Sequence, residues 1–243
     1  MCLIALMHSG DRLVLAANRD EEYSRPTRSA HAWHDAPDVI GGRDLSHGGS
    51  WLAITRSGRF AAVTNLRNGG PGSAEGGGAP LLSRGFLVRD FVLGDDAPLD
   101  YARAVASRAR DYNGFHLIAG VAGGEVAHYT NGAGEPTLVG EIFAISNGPL
   151  GEEWPKVAMA REVISNARDV HDLLEFLSTR THGGSSTIET IPSDVFVVSD
   201  RYGTRASTVI VADSEGVKLY EQNFGPNGVA GELVRLEMHA PQP

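Results

Sequence analysis

Apolar and polar residues alternate in blocks along the chain. Residues 2–7 and 12–17 are largely apolar runs on either side of a turn-forming segment at residues 8–11, a pattern that predicts a hairpin of buried strands. The same arrangement recurs at residues 51–55 and 60–64 and at residues 115–121 and 125–130, so two further hairpins are predicted. Short strands are predicted over residues 142–146, 194–199, 208–212 and 217–222.

Helical spacing of apolar residues replaces this pattern in four places. It predicts helices over residues 80–93, 98–111, 153–166 and 170–178. Residues 21–50 have little periodicity and many turn formers, which favours a long ordered loop. Residues 68–78 are rich in glycine and predict a surface loop, with a lid over a site as the alternative.

Strands and helices are grouped along the chain and do not alternate singly. Such grouping favours antiparallel sheets with helices packed on their outer faces, an α+β fold. No linker-like boundary and no internal repeat interrupts the pattern. We therefore predict one domain over residues 1–243.

Composition narrows the classes of function. The formal net charge of −9 argues against a nucleic-acid partner, and no run of about 18 apolar residues predicts a membrane span. The single cysteine, Cys2, excludes an intramolecular disulfide, and the nine histidines lack a metal-binding spacing, so no metal site is expected. No basic segment precedes the short apolar start, and we expect a cytoplasmic protein.

Cys2 is the residue whose position suggests chemistry. Removal of Met1 would leave a thiol and a free α-amine on one residue, and these groups titrate at about 8.5 and about 8. A nucleophile and its base would then share one residue, which is the arrangement of N-terminal nucleophile catalysis. The alternative is that Cys2 is only a small apolar residue at the start of a buried strand.

Further motifs follow Cys2 in a fixed order. They are Asn18-Arg19-Asp20-Glu21, Arg25-Pro26-Thr27, Trp33, Gly42-Arg43-Asp44, Gly48-Gly49-Ser50-Trp51, Gly58-Arg59, Thr64-Asn65-Leu66-Arg67, Ser146-Asn147-Gly148-Pro149 and Thr204-Arg205. Together with Cys2 they resemble the NRDE family, also called transport-and-Golgi-organisation-2-like proteins, whose name comes from the tetrapeptide at residues 18–21. The resemblance is dense over the first 70 residues and thinner beyond them.

The NRDE family in turn is similar to the penicillin V acylase and bile salt hydrolase branch of N-terminal nucleophile hydrolases. That resemblance implies a four-layer αββα sandwich of two antiparallel sheets flanked by helices. It also implies a set of roles: Cys2 as the nucleophile, Arg19 near its thiolate, Asp20 as an anchor for the amine, Asn147 and Asn65 as oxyanion donors, and Arg205 completing the polar cluster.

Arg19 and Asp20 are adjacent here, whereas the acylase branch separates the two residues. Neighbours on a regular strand point to opposite faces. Both can face the thiol only if a bulge or the end of the strand turns one of them. Otherwise Asn18 and Asp20 share a face, and Arg19 has a structural role.

Two hypotheses of function follow from the resemblance. The first is an amidohydrolase or acyltransferase that acts on a small acylated substrate and needs no cofactor. The second is a non-catalytic carrier of haem or lipid, with a histidine or Cys2 as the axial ligand of haem. Catalysis requires the loss of Met1, whereas a carrier requires no processing.

Overall fold

The computed structural model describes residues 2–67, 81–132, 134–181, 186–187, 190 and 193–240. Its helices and strands follow one another in this order: β1 (Leu3–Ser9), β2 (Arg12–Glu22), β3 (Thr27–Trp33), β4 (Ala36–Asp44), β5 (Leu52–Thr55), β6 (Arg59–Asn65), α1 (Gly85–Leu93), α2 (Pro98–Ser107), β7 (Phe115–Val121), β8 (Val126–Thr130), β9 (Thr137–Leu138), β10 (Ile142–Ile145), α3 (Pro155–Asn166), α4 (Val170–Leu177), β11 (Tyr202–Asp213), β12 (Gly216–Phe224) and β13 (Ala230–His239).

These strands form two antiparallel sheets. The first sheet has the order β10-β1-β2-β11-β12-β13, and the second runs from β3 to β9 in chain order. β1 and β2 form a hairpin in which Leu3 pairs with Asn18 and Ser9 pairs with Arg12. The first sheet therefore joins strands from both ends of the described chain, and β1 lies inside it between β2 and β10.

Alternation along β2 shows how the layers are stacked. Leu13 and Leu15 point into the apolar core between the two sheets, whereas Val14 and Ala16 pack with residues of α3 and α4. On the second sheet, residues of β6 and β7 pack with Phe91 and other residues of α1 and α2. Three apolar clusters thus separate four layers, and the predicted αββα sandwich is confirmed.

Proline begins two of the four helices. Pro98 and Pro155 occupy the first turns of α2 and α3, where the missing N–H costs no helical hydrogen bond. The four predicted helices are present with shifted ends, and a short 3-10 turn at Ala109–Asp111 follows α2. None of the helices among the described residues is long and apolar enough to cross a membrane.

The prediction of a loop over residues 21–50 is wrong, because this segment contains the end of β2 and all of β3 and β4. Gly41 and Gly42 gave it the composition of a loop, but both are needed inside the sheet. A Cβ at Gly41 would lie 2.5 Å from the carbonyl oxygen of Leu52, and one at Gly42 would overlap the ring of Trp51. Close approach of neighbouring strands explains these glycines.

The predicted strand at 194–199 is also not formed, although its side chains are buried. Three of its backbone nitrogens donate to hydroxyl groups, as Val197 N does to Thr204 Oγ1 and Val195 N to Thr181 Oγ1. Phe196 N donates to the carbonyl oxygen of Thr179, which lies outside any strand. Conversely, β13 was not predicted and lies at the edge of the first sheet. The glycine-rich stretch at residues 68–78 lies outside the described residues.

Candidate active site

Cys2 lies where β1 begins and β10 ends, beside β2. β1 begins at Leu3 and is flanked by β2 and β10, so that Leu3 pairs with Asn18 and Ile4 pairs with Ile145. This register brings the residues that follow on both neighbours, Arg19 and Asn147, to either side of Cys2. The topology of the sheet therefore assembles residues that are more than 100 positions apart in the sequence.

Asn147 joins Cys2 to both sheets. Its Oδ1 accepts from the backbone nitrogen of Cys2 at 2.6 Å, while its Nδ2 donates to Thr64 Oγ1 at 2.6 Å and to the carbonyl oxygen of Asn65 at 2.5 Å. Its neighbour Ser146 donates through Oγ to the Cys2 carbonyl oxygen at 2.6 Å. Asn147 is fully buried, and both polar atoms of its amide are engaged in this arrangement. Its predicted role as an oxyanion donor stays a prediction.

Arg19 and Asp20 point to opposite faces of β2. Arg19 lies on the face toward the second sheet, where its guanidinium stacks on the ring of Trp51 at 4.3 Å and lies 3.8 Å from Glu21. Burial lowers the pKa of Arg19, and the charge of Glu21 opposes that effect. Asn18 and Asp20 share the other face, as alternation requires when β2 itself has no bulge.

Asp20 is buried against β11 and α3. Its Oδ1 accepts from Thr204 Oγ1 at 2.6 Å. Burial raises the pKa of Asp20, while the charge of Lys156 and the hydrogen bond from Thr204 act in the opposite direction. Lys156 is itself completely buried and donates to the carbonyl oxygen of Asp194 at 3.2 Å. Burial lowers its pKa, and the charges of Asp20 and Cys2 oppose the shift.

The strand irregularity beside the site is a β-bulge at Arg205, on β11 and not on β2. Thr204 pairs with Asp20 and Ala206 pairs with Arg19, so Arg205 is the extra residue. Its guanidinium donates to the carbonyl oxygens of Glu22, at 3.2 Å, and Arg25, at 2.5 Å. Arg205 thus holds the turn between β2 and β3.

A cleft of about 260 Å³ opens beside Cys2. Among the predicted site residues, Cys2, Arg19, Asp20 and Asn65 line it; its other lining residues are Glu21, Arg25, Asp44, His47, Ser50, Trp51, Val63, Leu81, Leu82, Ser83, Arg84, Gly85 and Asn113. Asn147 lies behind Cys2, and Arg205 is not among the lining residues. The structure therefore brings most of the predicted residues together.

Two charged residues of this region were missed by the sequence analysis. Arg84 precedes α1 and lines the cleft, and Lys156 lies in the first turn of α3. Neither belongs to a motif, and no local pattern distinguishes them from other surface cations in the sequence. The only signal was position: each stands at a helix start, and only the packing of that helix shows where its side chain points.

A pair of buried histidines supports the segment that carries Asn147. His116 Nε2 lies 3.0 Å from the carbonyl oxygen of Gly148, and its Nδ1 lies 3.3 Å from Nε2 of His128. Because a carbonyl can only accept, His116 donates through Nε2 and accepts from His128 through Nδ1. Burial lowers the pKa of His116 to about 4 and that of His128 to about 3, so both are neutral at neutral pH.

A possible metal-binding group lies far from this cleft in the sequence. Asp169, His171 and Asp172 offer ligand atoms within 4.8 Å of one another. However, Asp169 accepts from the backbone of Asp172 as the N-cap of α4, and Asp172 pairs with Arg168. Helix capping accounts for these carboxylates. His47 is the histidine that lines the Cys2 cleft, at its rim beside Asp44.

Solved structures resemble this fold at low sequence identity. The conjugated bile acid hydrolase of Clostridium perfringens matches with a TM-score of 0.59 and 9% identity, over 98% of this chain and 92% of that one. The N-acylethanolamine-hydrolyzing acid amidase ortholog of Caenorhabditis elegans matches with a TM-score of 0.52 and 12% identity, over 86% and 92%. The predicted N-terminal nucleophile hydrolase fold is confirmed.

Relatives found by sequence share more identity with this chain than these solved structures do. The chain is 32% identical to the human Transport and Golgi organization protein 2 homolog over 237 residues, covering 84% of this chain and 83% of that protein. It is 34% identical to the Bos taurus homolog over 241 residues, with the same coverage. The family model for Transport and Golgi organisation 2 matches residues 1–226. The chain therefore belongs to the Transport and Golgi organisation 2 family.

Proposed function

We propose that the chain is a cysteine-type N-terminal nucleophile enzyme, an amidohydrolase or acyltransferase acting on a small acylated substrate. The observation that carries the proposal is the setting of Cys2, whose backbone nitrogen is held by Asn147 at 2.6 Å and whose side chain lines a cleft with Arg19. A strand-initial cysteine that only filled the core would need neither the hydrogen bond nor the cleft.

The chemistry begins with removal of Met1, which converts the Cys2 nitrogen into a free α-amine. The amine takes the proton of the thiol, and the sulfur attacks the acyl carbon of the substrate. The amide C–N bond then breaks, and the leaving nitrogen takes the proton from the α-ammonium. Water, or an acceptor with a free amine or hydroxyl, cleaves the resulting thioester and releases the acyl group.

The surrounding residues favour these steps electrostatically. Arg19 lines the same cleft as Cys2 and contributes positive charge there, which favours the thiolate. Asn147 supplies a fixed acceptor to the Cys2 nitrogen, and this contact orients the amine without using its lone pair. Asp20 and Lys156 are both buried, and the charge of each opposes the pKa shift that burial causes in the other. Cys2 thus lies among polar and charged side chains that are themselves held in place.

Intact mass spectrometry with a β-lactone tests the proposal. A β-lactone opens on an activated thiol and leaves one acyl adduct. We expect wild-type protein to lack Met1 and to gain a single adduct, and Cys2→Ala to gain none. Ser9→Ala, at the exposed far end of β1, is a matched control and should react like the wild type.

The outcomes separate catalysis from carriage. Loss of Met1, together with labelling of the folded protein but not of protein unfolded before the β-lactone is added, would support an activated nucleophile. Retained Met1, or equal labelling of folded and unfolded protein, would refute the proposal. The haem and lipid hypothesis would then be tested by titration, with a change in the Soret band as the readout for haem.

A further inference from the structure

Arg84 is a cation of the Cys2 cleft to which no role has been assigned so far. It directly precedes α1, is half-buried, and lines the cleft together with Cys2 and Arg19. Its NH1 donates to the carbonyl oxygen of Gly114 at 2.9 Å, which fixes the direction of the side chain. A guanidinium has five N–H donors, and in the described part of the chain this is the one hydrogen bond that the Arg84 side chain makes.

The other two arginines of the cleft have acidic partners. Arg25 lies 2.7 Å from Asp44 and 3.7 Å from Glu21, and Arg19 lies 3.8 Å from Glu21. Within the residues that the structure describes, no carboxylate lies within 4 Å of Arg84. A half-buried guanidinium that faces a cleft without a counter-ion is costly, unless a ligand supplies the negative charge.

A purely structural role does not account for this residue. Arg84 does tie α1 to the segment before β7 through Gly114. That junction is already closed by a backbone bridge between Leu82 and Tyr112 and by the bond from Leu82 N to the Asp111 carbonyl oxygen at 2.8 Å. A neutral donor would serve equally well in the remaining contact.

The lining around Arg84 is apolar on one side. Leu81 and Leu82 are 36% and 45% exposed, a high exposure for leucines, and both line the cleft with Trp51. Apolar surface beside an unpaired guanidinium suits a ligand that combines a hydrophobic part with an anionic group. Carboxylate and phosphate both match the planar, forked donors of arginine.

We propose that Arg84 is a specificity-determining residue that binds a carboxylate or phosphate on the acylated substrate of Cys2. The inference rests on the proposed function, because it assigns the substrate class of the same cleft. Burial lowers the pKa of Arg84, and the charge of Cys2 is the largest opposing influence. Because Arg84 and Cys2 line the same cleft, the bound anion and the nucleophile would share it.

Calorimetric binding to the Cys2→Ala protein tests this assignment without turnover. The probes are N-decanoylglycine, N-decanoyl-phosphoethanolamine and the neutral N-decanoylglycinamide. We expect at least one anionic probe to bind about tenfold or more tightly than the neutral one, since a hydrogen bond to a charged group contributes about 1.5–3 kcal/mol. The preferred anionic probe tells a carboxylate from a phosphate.

Arg84→Met in the same background should weaken the preferred anionic probe about 10- to 100-fold and leave the neutral probe unchanged. Arg84→Lys should give an intermediate loss, because it retains charge without the fork. Arg89→Met is the matched control on α1: Arg89 pairs with Asp90 outside the cleft and should have no effect. Equal affinity for all probes, or equal weakening of charged and neutral probes by Arg84→Met, would overturn the inference.

Turnover by wild-type protein separates this inference from the proposed function. Release of glycine or phosphoethanolamine that is faster than release of glycinamide, and that depends on Arg84, supports both. Arg84-dependent binding without turnover supports the anion site and refutes catalysis on these amides. Turnover without any preference for charge supports catalysis and refutes the role of Arg84. If Arg84→Met does not fold, the comparison of probes on Arg84→Lys decides the question.

Discussion

Replacing Asn147 by alanine is the sharpest test of how the candidate site is held together. The side chain accepts from the Cys2 nitrogen and donates to Thr64 Oγ1 and to the Asn65 carbonyl oxygen, and it is fully buried. The backbone contact from Arg67 N to the Asn147 carbonyl oxygen, at 2.8 Å, does not involve the side chain. The variant therefore removes the three side-chain contacts and leaves the chain path in place.

The expected loss of stability follows from those three contacts. Each hydrogen bond contributes about 1 kcal/mol net, and a buried group left without a partner costs about 1–3 kcal/mol. The Cys2 nitrogen lies at the cleft and can bind water, but Thr64 is buried. We expect a loss of about 3 kcal/mol in the free energy of unfolding, or about 6–12 °C in Tm for a chain of this size.

Urea unfolding at pH 7 measures this difference, provided that the m-value is unchanged. Asn113→Ala is the matched control, because Asn113 is exposed at the rim of the same cleft and its side chain makes no hydrogen bond within the described residues. The control should stay within about 0.5 kcal/mol of the wild type. A loss below about 1 kcal/mol for Asn147→Ala would refute the view that this residue joins Cys2 to both sheets.

Two further predictions concern pH and the β2–β3 turn. Burial lowers the pKa of His128 to about 3 in the folded protein. As pH falls below about 6.5, this histidine is therefore protonated in the unfolded chain but not in the folded one. The free energy of unfolding then decreases by up to about 1.4 kcal/mol per pH unit. His128→Gln should reduce the loss between pH 6.5 and 5 by up to about 2 kcal/mol, whereas the exposed His171→Gln should not; equal slopes in urea titrations would contradict this. Arg205→Met should lower the free energy of unfolding by about 1 kcal/mol and speed amide hydrogen exchange at residues 22–27. Arg201→Met, at an exposed position, should do neither. Unchanged exchange in Arg205→Met would show that Arg205 does not hold the turn between β2 and β3.

The hairpins and the layering were predictable because they depend on local apolar pattern. Residues 2–7 and 12–17 predicted β1 and β2, and residues 115–121 and 125–130 predicted β7 and β8. β3 and β4 were not predictable in this way, because glycine and polar residues there are stabilised by neighbouring strands. The buried segment 194–199 misled for the opposite reason: its pattern is that of a strand, but three of its backbone donors bond side-chain hydroxyls and not a neighbouring strand.

The candidate site shows the same division. Cys2, Arg19, Asp20 and Asn65 were accessible through motifs, and they do line one cleft. The direction of each side chain required the sheet. Of the two alternatives left open by the motif, Asn18 and Asp20 share a face while Arg19 faces the opposite layer, and the bulge lies at Arg205 on β11. Arg84 and Lys156 were not accessible, because burial of a lone cation depends on how its helix packs and not on neighbouring residues in the sequence.

The position of β1 between β2 and β10 determines the order in which its contacts can form during synthesis. β1 can pair with β2 as soon as both have left the ribosome, but its other neighbour, β10, is synthesised only after the whole second sheet. The contact between Cys2 and Asn147 spans 145 positions, and Thr204, which supports Asp20, follows later still. A nascent chain therefore carries an exposed strand edge beside its only thiol for most of its synthesis. Under the proposed function, the complete setting of the Cys2 nucleophile would therefore form only after the last strands have been synthesised and have docked.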